Sequence, residues 1–118
     1  MDKFSKSEKA KTFASHLLEL IKMQQLNEID VYKAANIDRK LFSKVRHSSY
    51  HPSRKTAIAL AFALHLSYEQ TKQLVGLAGY GFSPDSKADL IIHFCLENHI
   101  YDLMQVNELL DEYTNTTL

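Results

Sequence analysis

The sequence contains few of the residues on which several protein classes depend. Its 118 residues include one cysteine, Cys95, no tryptophan, three glycines and two prolines. A single cysteine excludes a disulfide framework within the chain and is typical of a reducing compartment, so we expect a cytoplasmic protein. Scarce glycine and proline disfavour a turn-rich β-fold, whereas abundant alanine, leucine, lysine and glutamate favour helices.

Long apolar runs are missing as well. No stretch approaches the roughly 18 apolar residues that a membrane-spanning helix needs, and charged residues occur throughout residues 1–30. We therefore expect neither a membrane span nor a signal peptide. A chain of this length is expected to form one domain, residues 1–118, with a core that needs no disulfide.

The formal net charge of zero conceals a strong segregation of charge along the chain. Residues 1–30 hold five basic and five acidic side chains, residues 31–56 hold seven basic and one acidic, and residues 57–118 hold two basic and eight acidic. The local net charges are therefore 0, +6 and −6. Segregation of this kind bears on partners, and the basic segment indicates an anionic one.

Apolar periodicity and helix-capping residues predict seven helices. They cover residues 7–25, 31–35, 39–48, 54–65 and 68–78, then a stretch from Pro84 through Leu96, and a last stretch over residues 106–113. The predicted starts are a capping box of Ser5 with Glu8, caps at Asp30, Asp38 and Ser53, a capping box of Ser67 with Gln70, and Ser83 before Pro84. The alanine-rich fourth helix is predicted to be central, and residues 114–118 to be a loose tail.

This pattern predicts an all-α fold. Residues 11–80 would form a compact bundle of five helices, and residues 84–113 would add two C-terminal helices. The second and third helices, joined by a tight turn, have the arrangement of a helix-turn-helix. Asn36 lies at that turn, because asparagine tolerates the left-handed conformation. The apolar residues that would hold the two helices together are Val31, Ala35, Ile37, Phe42 and Val45.

In a helix-turn-helix, the second of the two helices, here residues 39–48, lies in the major groove of DNA. Candidate base-reading residues lie in its first turns: Arg39, Lys40, Ser43 and Lys44. Arginine and lysine suit the acceptor atoms of guanine, and serine is permissive. Candidate phosphate-binding residues lie around them: Lys33, Arg46, His47, Arg54 and Lys55. Phosphate contacts set affinity and register but carry little sequence information.

On these residues, the stretch of residues 17–75 resembles the XRE/Cro-type helix-turn-helix family. The resemblance is carried by the run from Glu28 to Arg46, the loop proline Pro52 and the fourth helix ending in Ala-Leu-His-Leu-Ser. It implies a five-helix bundle that binds operator DNA, commonly as a homodimer, with recognition positions at Asp38, Arg39, Lys40, Ser43 and Lys44. Two residues depart from the family pattern: Tyr32 replaces a small residue, and Glu28 replaces a glutamine next to phosphate.

The whole chain is also similar to little-characterised bacterial and phage helix-turn-helix-like domains, some of them fused behind macrodomains. The motifs that carry this second resemblance are Ala-Gly-Tyr-Gly-Phe-Ser and the closing Tyr-Asp-Leu-Met-Gln-Val-Asn-Glu-Leu-Leu. This sequence contains no macrodomain, so the resemblance does not imply binding of ADP-ribose.

Other patterns favour structural interpretations. His47 and His51 are four residues apart, but Pro52 places His51 in a loop, so both are interpreted as surface histidines. The metal-capable residues of the sixth helix point in different directions, which favours a buried thiol and surface groups: His93, Cys95, Glu97 and His99. The three glycines of the chain lie close together, within residues 76–81, and such a cluster is typical of the end of a helix. We expect no metal, no cofactor and no enzymatic activity, since nucleophile, base and orienting group do not occur together.

The leading prediction is therefore a regulator of transcription that binds double-stranded DNA. A second interpretation is an adaptor or inhibitor module that keeps the scaffold but has lost DNA binding and uses its acidic C-terminal half for a protein partner. RNA is a third alternative, because a basic surface does not by itself select DNA. Separately, the apolar sixth and seventh helices suggest a homodimer.

Overall fold

The computed structural model describes residues 11–118 of the chain. Within this range the chain forms helices and no strands, which confirms the all-α prediction. The helices are α1 (Phe13–Met23), α2 (Glu28–Ala34), α3 (Arg39–Val45), α4 (Arg54–Ala63), α5 (Tyr68–Leu77), α6 (Lys87–Glu97) and α7 (Leu103–Thr114). None of the helices in this range is both long enough and apolar enough to cross a membrane.

Three predicted helix caps are confirmed. The side chain of Asp38 accepts a hydrogen bond from the backbone amide of Leu41 at the start of α3. Ser53 caps α4 in the same way, and Ser67 forms the predicted capping box with Gln70 at the start of α5. Each cap satisfies a backbone donor that the first turn of a helix leaves free.

One predicted start near the N-terminus is wrong, and another lies outside the described residues. α1 begins at Phe13 behind a capping box of Thr12 with Ser15; the predicted box of Ser5 with Glu8 lies outside the described residues. α2 begins at Glu28, because the side chain of Asn27 accepts from the amide of Ile29 at 2.7 Å. Asp30, predicted as the cap, is therefore already inside the first turn of α2.

The predicted start of α6 at Pro84 is also wrong. The amide of Ser86 bonds the carbonyl of Ser83 at 3.2 Å, so Pro84 occupies the second position of a turn, which its fixed φ suits. The Ser83 hydroxyl accepts from the amide of Asp85 and reinforces that turn. α6 begins only after this turn. The side chain of Ser86 caps the helix by accepting a hydrogen bond from the backbone amide of Asp89.

Five helices end in one recurring motif, in which the residue after the cap is left-handed and the next amide donates to the carbonyl five residues before it. Only α5 uses glycine, Gly79 with φ +92°; α1, α2, α4 and α6 use Gln25, Asn36, His65 and His99 with φ between 54° and 60°. The prediction of a left-handed turn at Asn36 is confirmed. The other left-handed residues explain why α1 and α4 end two residues before their predicted limits.

The alanine-rich α4 is central, as predicted. Six successive residues of it, Ala57 to Phe62, are buried, and α2 and α5 both pack against it. α1 packs on α5, while α6 and α7 pack on each other and α6 also contacts α5. The prediction of a loose tail is wrong at its end, because the amide of Leu118 bonds the side chain of Asn107 at 2.8 Å.

Candidate nucleic-acid interface

The α2–α3 unit is held together as the sequence predicts. Four of its apolar side chains are buried against the bundle: Val31, Ala35, Phe42 and Val45. The amide of Ile37 bonds the carbonyl of Tyr32 across the turn at 3.0 Å, and Asp38 then caps α3. A capped helix on a packed base presents its outward side chains in fixed directions.

Tyr32, which stands where the resembled family has a small residue, contributes to this packing. Its ring is half-buried and lies 5.4 Å from the ring of Phe42, tilted by 38°. Contacts of this kind between aromatic rings add to the apolar burial of each ring. Tyr32 therefore joins α2 to α3 through a contact between side chains.

The outward surface of α3 consists of two adjacent rows of exposed side chains. One row, at helical spacing, contains Arg39, Ser43 and Arg46, and the other contains Lys40, Lys44 and His47. All four candidate base-reading residues thus lie on one continuous surface, together with Arg46 and His47. We call these six exposed residues the α3 surface.

A shallow groove of about 240 Å³ separates the first of these rows from α2. Its lining includes Ile29 and Glu28 from α2 and Arg39, Ser43 and Arg46 from α3. The carboxylate of Glu28 lies 3.1 Å from the guanidinium of Arg46, and both side chains are partly exposed to solvent. Pairs in such positions contribute little stability, so Arg46 can exchange this partner for a phosphate at small cost.

The flanking cations differ in how far they are free to meet a ligand. Lys33 at the end of α2 and Lys55 at the start of α4 are exposed. Arg54, beside Lys55, instead donates to the carbonyl of Gly81 at 2.9 and 3.2 Å and to the carboxylate of Asp89 at 2.8 Å. Its guanidinium also lies 5.0 Å from the centre of the Phe82 ring.

The Arg54–Asp89 pair is a structural contact that the sequence analysis missed. The Asp89 side chain is 8% exposed and the Arg54 side chain 33%, and Asp89 also accepts from the amide of Ser83 at 2.7 Å. The pair attaches the start of α6 to the start of α4. We therefore remove Arg54 from the candidate phosphate contacts. A signal was present in the sequence: Asp89 shares the inward face of the sixth helix with Ile92 and Leu96, where an acid requires a partner.

The loop between α3 and α4 is held from the same side. The hydroxyl of Tyr80 donates to the carbonyl of Pro52 at 2.9 Å, and its ring lies 6.1 Å from the ring of His51. The connection between α5 and α6 therefore fixes the loop that follows α3. This arrangement limits the freedom of the α3 surface relative to the bundle.

Two histidines of the C-terminal part, His93 and His99, have structural partners. His93 stacks on Tyr68 with ring centres 3.6 Å apart and lies 3.3 Å from a carboxylate oxygen of Glu97. His99 contacts the hydroxyl of Tyr101 at 2.9 Å. Cys95 is buried, and burial raises the pKa of its thiol. Among residues 11–118 no three histidine, cysteine or acidic side chains form a group that could hold a metal ion.

Comparisons of the chain with protein-family models, with curated protein sequences and with solved structures find no match in any of the three. A function therefore has to be inferred from the chemistry of the surface. That surface combines a capped helix, two rows of outward polar side chains and two further exposed lysines, Lys33 and Lys55.

Proposed function

We propose that this protein binds double-stranded DNA and regulates transcription, with α3 in the major groove. The observation that carries the proposal is the α3 surface, which is basic, exposed and mounted on the packed α2–α3 unit. An α-helix with its side chains is about 10–12 Å in diameter, so α3 fits within a major groove about 12 Å wide. The resemblance to the XRE/Cro-type family supports the same docking.

The residues divide by the kind of contact they would make. Arg39, Lys40, Ser43 and Lys44 lie in the first turns of α3, from which side chains reach base edges. Lys33, Arg46, His47 and Lys55 surround them and would bind phosphates. A cytoplasmic location is part of this proposal, and the buried, unpaired thiol of Cys95 agrees with it.

Selection of binding sites from a randomised DNA duplex library, followed by fluorescence anisotropy on the selected duplex, tests this proposal. We expect the triple substitution of Arg39, Lys40 and Lys44 by alanine to abolish specific binding, since each base contact contributes about 1–3 kcal/mol. The matched control replaces Lys11, Lys22 and Lys72, three exposed lysines outside the α3 surface, and should retain specific binding.

Two outcomes would overturn the proposal. One is the absence of any retarded duplex in the library at low salt, where phosphate contacts are strongest. The other is tighter binding to a randomised RNA pool than to the DNA pool, because RNA is recognised through its shape and its unpaired bases.

A second candidate function is a protein-interaction module on the same scaffold. It is favoured by the exposed apolar side chain of Ile29 in the wall of the α2–α3 groove and by Glu28 in the same wall. Two further exposed apolar side chains, Met23 and Leu26, precede α2 in the chain. An acid and apolar groups suit a protein partner better than a phosphate backbone. This candidate predicts a stoichiometric partner that survives nuclease and high salt. The partner is lost with Ile29→Asp but kept when Lys40 and Lys44, which lie outside the groove, are replaced by alanine.

A further inference from the structure

The outward face of α6 carries a row of four exposed side chains in a chain segment that is otherwise buried or half-buried. These residues are Lys87, Leu90, Phe94 and Glu97. Leu90 and Phe94 are each 53% exposed, although both are large and apolar. Adjacent large apolar side chains on one exposed helix face are typical of surfaces that contact another molecule.

The row has a spacing of three, four and three residues, which is the spacing of the core positions of a coiled coil. It is also symmetric about the level of Ile92: Leu90 and Phe94 lie two residues to either side of it, and Lys87 and Glu97 five residues to either side. The two members of the outer pair carry opposite charges. When such a row is reversed, apolar positions face apolar positions and each charge faces its opposite.

We propose that α6 binds α6 of a second copy of this chain in antiparallel orientation, across a two-fold axis at the level of Ile92. Leu90 then packs against the partner's Phe94, and Lys87 pairs with the partner's Glu97. The two-fold axis repeats both contacts, as an interface between identical surfaces requires. Self-complementary charge at the ends of the row identifies the occupant as a second copy, because an unrelated apolar helix has no reason to match it.

Grooves on both sides of the row add to the area that a partner would cover. A groove of about 390 Å³ between α6 and α7 borders it on one side, with Ile91, Leu109 and Tyr113 in its walls. On the other side a second hollow is lined by Leu90, His93, Phe94, Glu97 and Asn98. Grooves on both sides of a ridge are what helix packing requires.

The charge at the end of the row is available for such a pairing. Glu97 contacts His93 through one carboxylate oxygen, Oε2, and its side chain is 61% exposed. The second oxygen can accept from the ammonium group of the partner's Lys87. Since α6 has 11 residues and is about 16 Å long, the interface is small, and we expect a dissociation constant of about 1–100 µM.

Reciprocal charge reversal tests the orientation as well as the contact. The measurement is sedimentation velocity on the full chain from about 5 to about 500 µM, over which the wild type should shift from 13.6 kDa towards twice that mass. Lys87→Glu and Glu97→Lys should each weaken self-association about tenfold or more, because each places like charges opposite one another. Mixing the two variants should restore association, since every outer pair is then of opposite charge.

The apolar centre is tested with Leu90→Asp, which should keep the chain monomeric over the whole range. Met104→Asp is the matched control, because Met104 is equally large and is 70% exposed on α7 outside the row. Circular dichroism establishes that each variant is folded.

A wild type that stays at 13.6 kDa up to about 500 µM would overturn the proposal. A mixture that associates no better than its two components would overturn it too. Neither outcome bears on DNA binding, because the α3 surface is not part of the row.

Discussion

The basic segment of residues 31–56 and the acidic pair of helices α6 and α7 are built on the same kind of core but expose different chemistry. Large exposed apolar side chains are absent from residues 31–56, which instead expose cations. α6 and α7 together expose four of them: Leu90, Phe94, Met104 and Tyr113. The two regions are therefore suited to different partners, the first to a polyanion and the second to a protein surface.

The two regions also contact each other through the ion pair of Arg54 with Asp89. Arg54 belongs to the basic segment by sequence, yet its charge is used inside the protein by Asp89 of α6. A count of charges along the chain therefore overstates the basic surface by one. The acidic total is overstated in the same way, because Asp89 is buried.

The largest expected effect separates two neighbouring cations. We expect Arg54→Ala to lower the free energy of unfolding by about 2 kcal/mol, because Asp89 is left buried without its partner, and a buried carboxylate is costly. Lys55→Ala should change stability by less than about 0.5 kcal/mol, since Lys55 is exposed. The measurement is urea unfolding of both variants.

In DNA binding we expect the reverse order, so that Lys55→Ala has an effect and Arg54→Ala has none. Lys55→Ala should lower the slope of log affinity against log salt by about one, as expected for one lost phosphate contact. Arg54→Ala should leave that slope unchanged. If Arg54→Ala lowers the slope and leaves stability intact, the assignment of Arg54 to the interior is wrong and the original phosphate assignment stands.

Arg54 also illustrates which features of this fold can be predicted from the sequence. The number of helices among residues 11–118, the central position of α4, the left-handed turn at Asn36 and the caps at Asp38 and Ser53 were predictable, because each depends on residues close together in the chain. The partner of Arg54 is 35 residues away, and no local pattern gives that distance. The four candidate base-reading residues were likewise predicted as outward from helical periodicity, and they are exposed.

The wrong predictions have a common physical origin. Pro84 was predicted to open α6 because proline is favourable in a first turn, but proline is equally favourable in the turn that it occupies here. Asp30 was chosen as a cap although Asn27, three residues earlier, serves equally well. In both places two local solutions have similar energies, and contacts made elsewhere in the bundle decide between them.

A smaller effect concerns the core beneath the acidic helices. Burial raises the pKa of Cys95, so above about pH 8.5, where an exposed thiol ionises, the unfolded chain releases a proton that the folded chain retains. Stability conferred by the neutral thiol is therefore complete below that pH and is lost as the pH rises. Between about pH 8 and pH 10 the free energy of unfolding should therefore fall as the pH rises.

Cys95→Ala tests this loss. The variant has no thiol to ionise, so its free energy of unfolding should fall less steeply at high pH than that of the wild type. The cavity left by the substitution lowers stability by the same amount at every pH and does not affect this slope. The measurement is urea unfolding of wild type and variant at several pH values, compared by slope. Equal slopes for the two proteins would mean that the thiol ionises freely in the folded state. The acidic helices would then have a more open core than the basic segment.

The smallest effect concerns Glu28, an acid that lies next to the basic surface although it precedes the basic segment in the chain. Glu28 lies 3.1 Å from Arg46 and is positioned beside the α3 surface, where it repels phosphate and occupies a cation that would otherwise bind one. We expect Glu28→Gln to raise DNA affinity about two- to fivefold at low salt, since an exposed pair costs under 1 kcal/mol to break. Fluorescence anisotropy on the selected duplex measures the change, and Glu19→Gln, an acid on α1, is the control. A protein-interaction module responds differently: for it, Glu28→Gln leaves DNA affinity negligible and weakens the partner instead. The direction of this one small change therefore distinguishes a DNA-binding surface weakened by an acid from a protein-binding surface of which the acid is a part.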